Sequence, residues 1–206
     1  VCSIHSGLNK SEEKQTERIL SRAFLRLVLS RYLKCPAAEI RFGRGETGKP
    51  FLTDPACETR LWFNLSHSGG AILLGLSTQS EIGVDVEKRR RVERRDPIAK
   101  QFLASGEIVW LKSCAEEKRN ERFFKIWTRK EAIMKAVGLG LHLSLASFSV
   151  ADEGSVGKLE LEEPEQCRGP VFFRDIYCGP VYAAAVASLQ AQGVGHQRLW
   201  DWKNGL

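Results

Sequence analysis

The 206-residue chain is 43% hydrophobic and 27% charged, with a net charge of +6, a composition typical of a soluble globular protein of one domain or two small lobes. No run approaches the ~18 consecutive apolar residues of a membrane-spanning helix, and the first residues lack the apolar core of a secretory signal. The six cysteines include no C-x-x-C pair, which predicts neither a zinc knuckle nor a disulfide framework, so we expect a reduced, cytoplasmic protein.

The spacing of apolar residues predicts helices and strands in the order helix, strands, helices, strands. The helices are expected at residues 16–34, at 98–103, after an N-cap at Ser105, and at 121–137. The strands are expected at residues 61–65, 71–76, 83–87, 147–150, 171–177 and 181–187. Pro36 ends the first helix and Gly138 ends the last. This order predicts an α+β protein of two similar lobes, residues 1–90 and 91–206.

Most of the net charge lies in one segment. Residues 88–95, KRRRVERR, hold six cations and one glutamate, so this basic segment contributes +5 of the total of +6. A concentration of positive charge indicates either an anionic partner or a solvated surface turn. The residues alone leave both interpretations open.

Two acidic residues are expected on one face of the strand IGVDVE, residues 82–87. Side chains alternate along a strand, so Asp85 and Glu87 point to one side and the valines point to the other. Neighbouring carboxylates repel each other unless a cation lies between them, and these hard oxygen ligands suit Mg²⁺. The alternative is a strand whose outer face is exposed to water.

A third carboxylate, Glu131, lies in the predicted helix of residues 121–137. With 3.6 residues per turn, it shares one side of the helix with Trp127, Met134 and Lys135. An unpaired carboxylate among apolar neighbours is costly, and a metal ion would remove that cost. The alternative is an ordinary i,i+4 pair with Lys135, worth only ~0.3–0.5 kcal/mol.

A candidate phosphate-binding turn occurs in FNLSHSGG, residues 63–70, with GKP upstream at residues 48–50. Ser66, His67, Ser68 and the two glycines bring hydroxyl, imidazole and backbone N–H groups together, and such a turn can hold a phosphate. A purely structural turn explains the same residues. The chain contains neither a Walker loop nor a G-x-G-x-x-G segment, which argues against the nucleotide-binding enzymes that use them.

The segments GKP, FNLSHS, GVDVE and WTRKEAIMK occur in an order and at separations that resemble the 4′-phosphopantetheinyl transferase superfamily. The similarity is to its larger, surfactin-synthetase-activating (Sfp-like) branch and extends from about residue 21 to about residue 150. The resemblance implies two α+β lobes related by a pseudo-twofold axis, with the ligand in the cleft between them. It also implies transfer of the phosphopantetheine arm of coenzyme A to a serine of an apo carrier protein, with release of adenosine 3′,5′-bisphosphate.

The same resemblance implies roles for individual residues. The expected Mg²⁺ ligands are Asp85, Glu87 and Glu131, and the expected base is Glu131 or a water on the metal. Lys130 and Lys135 are expected to hold phosphates, with Lys135 also taking part in catalysis. The residues expected to bind coenzyme A are Arg22, Lys49, Pro50, Ser66, His67, Asp85, Lys130 and Lys135.

The implied partners are coenzyme A and an acidic acyl, peptidyl or polyketide carrier protein, which the basic segment is expected to attract. We expect a monomer that binds neither nucleic acid nor membranes. Two alternatives are a metal-dependent phosphohydrolase that uses the same three carboxylates and a nucleic-acid-binding module built on the basic segment.

Overall fold

Helices and antiparallel strands are mixed along the chain. The structure is a computed structural model and describes residues 10–53, 60–161 and 169–190. The helices are α1 (Lys10–Leu33), α2 (Arg95–Phe102), α3 (Ser105–Lys112) and α4 (Glu116–Val137). The strands are β1 (Phe42–Arg44), β2 (Pro50–Leu52), β3 (Trp62–Ser68), β4 (Ala71–Ser77), β5 (Ile82–Lys88), β6 (Val156–Glu160), β7 (Pro170–Asp175) and β8 (Tyr182–Ser188). The predicted α+β class is confirmed.

The described strands form three antiparallel sheets. β1 pairs with β2, β3 pairs with β4, and the largest sheet has the order β5-β8-β7-β6. β5 is therefore an edge strand of a sheet whose other members all come from the second half of the sequence. The division of the chain at residue 90 and the pseudo-twofold relation between two lobes stay predictions.

β3 and β4 are joined by a two-residue turn at Gly69 and Gly70. Both glycines have positive φ, 55° and 90°, which is the backbone conformation that a tight hairpin turn requires. The turn follows Ser68 directly. Because side chains alternate along a strand, Asn64, Ser66 and Ser68 share one face of β3.

α4 packs directly against β5 and β8 because small residues line the contact. A Cβ atom added at Gly83 would lie 2.0 Å from the carbonyl oxygen of Ala132, so the backbones of strand and helix touch at this point. Ala185 and Ala187 of β8 are fully buried in the same core as Ile133 of α4. This close approach brings side chains of α4 within reach of polar groups on β5.

The predicted strand at residues 147–150 is wrong. Leu145–Ser147 is a short 3-10 helix, and the extended residues that follow pair with no described strand. Phe148 and Val150 are buried, which explains why their alternation resembles a strand. The N–H of Val150 instead donates to Oε1 of Glu107 at 2.8 Å.

The apolar pattern fails to predict three strands, and it places the first residues of α1 and α4 too late in the sequence. β1, β2 and β6 are short and none of their residues is fully buried, so they carry little periodic signal. α1 begins at Lys10 rather than at residue 16, and α4 begins at Glu116 rather than at residue 121, because their first turns are charged. The N-cap of α3 is the residue before Ser105. No helix in the described parts of the chain is long and apolar enough to cross a membrane.

Candidate functional site

The carboxylate of Asp85, on β5, is the centre of the candidate site. Asp85 is only 4% exposed, so its charge needs compensating contacts within the protein. Its Oδ1 accepts hydrogen bonds from Ser66 Oγ at 2.9 Å and from Lys135 Nζ at 2.6 Å. Its Oδ2 is buried and has no hydrogen-bond partner among the described residues. One carboxylate oxygen is thus held in place, and the other has no described group that compensates its charge.

Lys135 reaches this carboxylate because α4 lies so close to β5 at Gly83. Its Nζ also donates to the carbonyl oxygen of Val84 at 3.3 Å and lies 3.4 Å from Ser66 Oγ. The side chain keeps 27% of its surface exposed. The ammonium is therefore anchored to the strand on a side chain that is partly open to solvent, and an anionic group that reached it would form charge-assisted hydrogen bonds with it.

Glu87 and Glu131 are partly buried carboxylates near Asp85, and the three together are called the carboxylate cluster below. Burial is the largest cause that raises the pKa of both glutamates above their ordinary value. The charge of Asp85 also raises the pKa of both, whereas the charge of Lys135 lowers it. The hydrogen bond that Ser68 Oγ donates to Glu87 Oε2 at 2.8 Å lowers the pKa of that glutamate. The three carboxylates thus lie within electrostatic range of one another.

The carboxylate cluster has the chemistry to supply some, but not all, of the ligands of a divalent cation. Within residues 10–53, 60–161 and 169–190, no three His, Cys, Asp or Glu side chains are grouped closely enough to form a metal site by themselves. Mg²⁺, however, usually takes only one or two carboxylates from a protein and its other ligands from phosphates and water. The unpartnered Oδ2 of Asp85 and the two desolvated glutamates have the chemistry for such a cation.

The structure does not bring Lys130 to the carboxylate cluster. Lys130 is fully buried, and its Nζ lies 2.8 Å from Glu107 Oε2. The ammonium also donates to the carbonyl oxygens of Leu145 and Phe148. Burial lowers the pKa of Lys130, and the charge of Glu107 opposes that effect. In this arrangement all three ammonium hydrogens have partners inside the protein, and the phosphate contact of Lys130 stays a prediction.

Lys49 lies at the opposite end of β5 from Glu87. Its Nζ pairs with Glu81 Oε2 at 2.5 Å and donates to the carbonyl oxygens of Ile82 at 3.2 Å and Ala136 at 3.5 Å. Ile82 comes three residues before the first carboxylate of the cluster, which is roughly 10 Å along a strand. Lys49 therefore connects the end of α4 to the start of β5. The neighbouring proline, Pro50, is the partly buried first residue of β2.

His67 and Arg22 lie on elements at the outer side of the site. His67 is exposed, and its Nδ1 lies 3.5 Å from Oε2 of Glu17 on α1. The other carboxylate oxygen of Glu17 accepts the N–H of Gly70 at 2.8 Å. A carboxylate of α1 thus accepts a backbone N–H group of the turn that was predicted to bind a phosphate. Arg22 is exposed on α1 and forms no ion pair with the residues that the structure describes.

The basic segment is only partly available to a partner. Arg89 and Arg95 form ion pairs with two glutamates of α4, at 3.0 Å and 2.6 Å. The exposed cations of the segment are Lys88, Arg90, Arg91 and Arg94. The charge of Arg90 lowers the pKa of Glu87, so the basic segment begins beside the carboxylate cluster.

Two residues that organise the site, Gly83 and Glu107, were not singled out in the sequence, and Ser68 was considered only as part of the candidate phosphate-binding turn. Gly83 sets the distance between α4 and β5, and a glycine within a strand is a known signal of close backbone approach. Ser68 is on the same face of β3 as Ser66, which the strand periodicity indicates. Glu107 carries no local signal, because its partner Lys130 lies on a different helix.

Comparisons with known proteins identify the family. Residues 81–187 match the 4′-phosphopantetheinyl transferase superfamily, and residues 9–79 match the N-terminal region of 4′-phosphopantetheinyl transferase. The 4′-phosphopantetheinyl transferase Sfp of Bacillus subtilis (strain 168) is 31% identical over 178 residues, which cover 86% of this chain and 75% of Sfp. A putative 4′-phosphopantetheinyl transferase of Synechocystis sp. is 42% identical over 136 residues, 66% of this chain and 55% of the relative.

A further relative is the 4′-phosphopantetheinyl transferase HetI of Nostoc sp., which is 37% identical over 120 residues, 58% of this chain and 51% of HetI. The chain thus spans about half the length of the Synechocystis and Nostoc relatives. These matches give no support to the phosphohydrolase or nucleic-acid-binding alternatives. The chain belongs to the 4′-phosphopantetheinyl transferase superfamily, in its Sfp-like branch.

Proposed function

We propose that this protein transfers the 4′-phosphopantetheine arm of coenzyme A to a serine of an apo carrier protein. The observation that carries the proposal is the ion pair of Lys135 with Asp85, whose second carboxylate oxygen is buried without a described partner. Glu87 and Glu131 lie within electrostatic range of that oxygen. This combination of one fixed ammonium and three acidic groups supports a site for a pyrophosphate and a divalent cation.

In the proposed step, the serine oxygen attacks the phosphorus atom that carries the pantetheine arm. The bond from that phosphorus to the bridging oxygen breaks, adenosine 3′,5′-bisphosphate leaves, and the serine proton passes to a base. The candidate base is Glu131 or a water at the cation, and in the protein without a cation burial raises the pKa of Glu131. Lys135 suits stabilisation of the charge that develops on the departing phosphate.

Asp85, Glu87 and Glu131 are the residues that would hold Mg²⁺. When bound, the cation would neutralise negative charge on the pyrophosphate as its bridging bond breaks. The unpartnered Oδ2 of Asp85 and the burial that raises the pKa of the two glutamates support this assignment, because a cation would stabilise the charged form of all three groups.

The proposed partner is an acidic carrier protein of fatty-acid, polyketide or peptide synthesis. The exposed cations of the basic segment support this choice, because complementary charge increases the rate of encounter with an acidic surface. We also propose that the protein is a monomer, acts in the cytoplasm and binds neither nucleic acid nor a membrane.

The test is the mass of purified apo carrier proteins after incubation with this protein, coenzyme A and Mg²⁺. We expect a gain of one phosphopantetheine group, abolished by EDTA and by Asp85→Asn. The matched control is Asp96→Asn, which neutralises an exposed aspartate of α2 and should leave the transfer intact. No gain with fatty-acid, polyketide or peptide carriers, together with no binding of coenzyme A, would overturn the proposal.

A further inference from the structure

The outer edge of β5 is bound by side chains rather than by another strand. One edge of β5 is hydrogen-bonded to β8, and on the other edge alternate N–H groups face β3. Three oxygen atoms of β3 side chains accept these N–H groups. The pairs are Val84 to Asn64 Oδ1 at 2.9 Å, Val86 to Ser66 Oγ at 3.4 Å and Lys88 to Ser68 Oγ at 3.2 Å.

The regular spacing of these contacts follows from the periodicity of two strands. Side chains on one face of β3 recur every second residue, as do the N–H groups on one edge of β5. Asn64, Ser66 and Ser68 therefore meet three successive outward N–H groups in register. These three side chains, called the seam below, join the β3–β4 hairpin to the largest sheet without a backbone ladder.

Both serines of the seam have a second contact. A serine hydroxyl has one hydrogen to donate. Ser66 donates it to Asp85 Oδ1 at 2.9 Å, and Ser68 donates it to Glu87 Oε2 at 2.8 Å. Each serine thus holds the carboxylate of one β5 residue and the N–H of the next. This double contact fixes the carboxylate relative to its own backbone.

We propose that Ser68 is a positioning residue that orients the carboxylate of Glu87 for a divalent cation, and that Ser66 does the same for Asp85. The inference deepens the proposed function and rests on it for the identity of the cation site. In this arrangement the hydroxyls of the N-x-S-x-S pattern on β3 orient protein carboxylates. Outer hydrogen-bond partners of this kind typically change metal affinity by 10- to 100-fold when they are removed.

The experiment compares Ser68→Ala, Ser68→Thr and Ser77→Ala in the full chain. Ser68→Thr keeps the hydroxyl. Ser77→Ala is the matched control, because Ser77 Oγ accepts two backbone N–H groups at 3.2 Å and forms no hydrogen bond with a carboxylate of the described residues. The dissociation constant of Mn²⁺, used alone as a spectroscopic probe, is measured by electron paramagnetic resonance. Hydrogen exchange of the Lys88 amide is measured by NMR.

We expect Ser68→Ala to weaken Mn²⁺ binding about tenfold and to accelerate exchange of the Lys88 amide. Ser68→Thr should restore both, and Ser77→Ala should change neither. Unchanged Mn²⁺ binding in Ser68→Ala, an equal loss in Ser77→Ala, or no Mn²⁺ binding by the unaltered protein would each overturn the inference. Neither measurement uses a carrier protein. A protein that fails to transfer phosphopantetheine can therefore be distinguished from one in which Ser68 does not position Glu87.

Discussion

Lys130 and Lys135 lie five positions apart on α4, and their ammonium groups face different sides of the helix. Five positions correspond to a rotation of roughly 140°. The side chain of Lys130 is fully buried, with Nζ 2.8 Å from Glu107 Oε2, whereas that of Lys135 is 27% exposed, with Nζ 2.6 Å from Asp85 Oδ1. Two lysines of one motif therefore make different contacts, because one pairs with Glu107 of α3 and the other with Asp85 of β5.

Replacing Lys130 should therefore affect stability more than replacing Lys135. Lys130→Met leaves the carboxylate of Glu107 buried without its cation, which should lower the free energy of unfolding by about 3–5 kcal/mol. Lys135→Met should abolish transfer with a smaller loss of stability, because the side chain of Lys135 is partly exposed and Asp85 Oδ1 keeps its hydrogen bond from Ser66. Urea unfolding measures the first effect and the transfer assay the second. The double variant Glu107→Leu/Lys130→Met should recover part of the lost stability, and an unchanged unfolding midpoint in Lys130→Met would contradict the structural role.

The contact between α4 and β5 predicts that Gly83 tolerates no side chain. In Gly83→Ala the new Cβ would lie 2.0 Å from Ala132 O and 2.3 Å from Ala136 N, and neither backbone atom can rotate away. We expect a loss of about 3 kcal/mol or more in the free energy of unfolding, together with loss of transfer. The control is Gly106→Ala, where the added Cβ meets no atom within 4 Å. It should be neutral or stabilise by ~0.5 kcal/mol. Similar unfolding curves for the two variants would contradict this account.

The contacts of Lys49 predict that it supports the fold rather than one phosphate of coenzyme A. Lys49→Met should lower the transfer rates with coenzyme A and with 3′-dephospho-coenzyme A by the same factor, because it loosens the end of α4 against β5. The ratio of kcat/KM for the two substrates is the measurement. A loss confined to coenzyme A would instead show that Lys49 contacts the 3′-phosphate, as the family resemblance implies.

The raised pKa of Glu131 predicts a pH-dependent gain in stability when its charge is removed. The folded protein binds this proton more tightly than the unfolded chain, so the contribution to stability is complete below pH 4.5 and is lost as the pH rises through the folded pKa. In EDTA, Glu131→Gln should therefore melt at a higher temperature than the unaltered protein at pH 7. The difference should shrink as the pH falls below 4.5. A lower melting temperature of Glu131→Gln at pH 7 would oppose this prediction.

The exposed part of the basic segment predicts a specific effect on the carrier substrate. Arg91→Glu/Arg94→Glu reverses two exposed cations and spares Arg89 and Arg95, which are paired, and Arg90, which acts on Glu87. We expect a several-fold increase in KM for the carrier and no change in KM for coenzyme A. Added salt should make the increase smaller, because it screens the charges on both surfaces. The control reverses two exposed cations elsewhere, Arg41→Glu/Lys112→Glu. An unchanged carrier KM, or the same increase in the control, would exclude docking on this segment.

Local periodicity predicted the α+β class and the elements that carry the candidate site. The acidic pair on β5 and the helical position of Glu131 followed from the alternation of strands and the 3.6-residue repeat of helices. The structure brings Asp85, Ser66 and Lys135 together as the motif order suggested. The strand at residues 147–150 was mispredicted because a buried extended segment and a strand share the same apolar alternation.

The sequence by itself determined which residue types lie on β3, β5 and α4, since propensity and periodicity act within a few residues. Only the tertiary structure decided which of these residues act together. Lys130 lies in the same family motif as Lys135 and Lys49 lies in another, yet their ammonium groups are paired with Glu107 and Glu81. Such pairings depend on the approach of segments far apart in the chain. That approach is set by packing contacts such as the missing Cβ of Gly83, where a difference of one carbon atom decides how close α4 lies to β5.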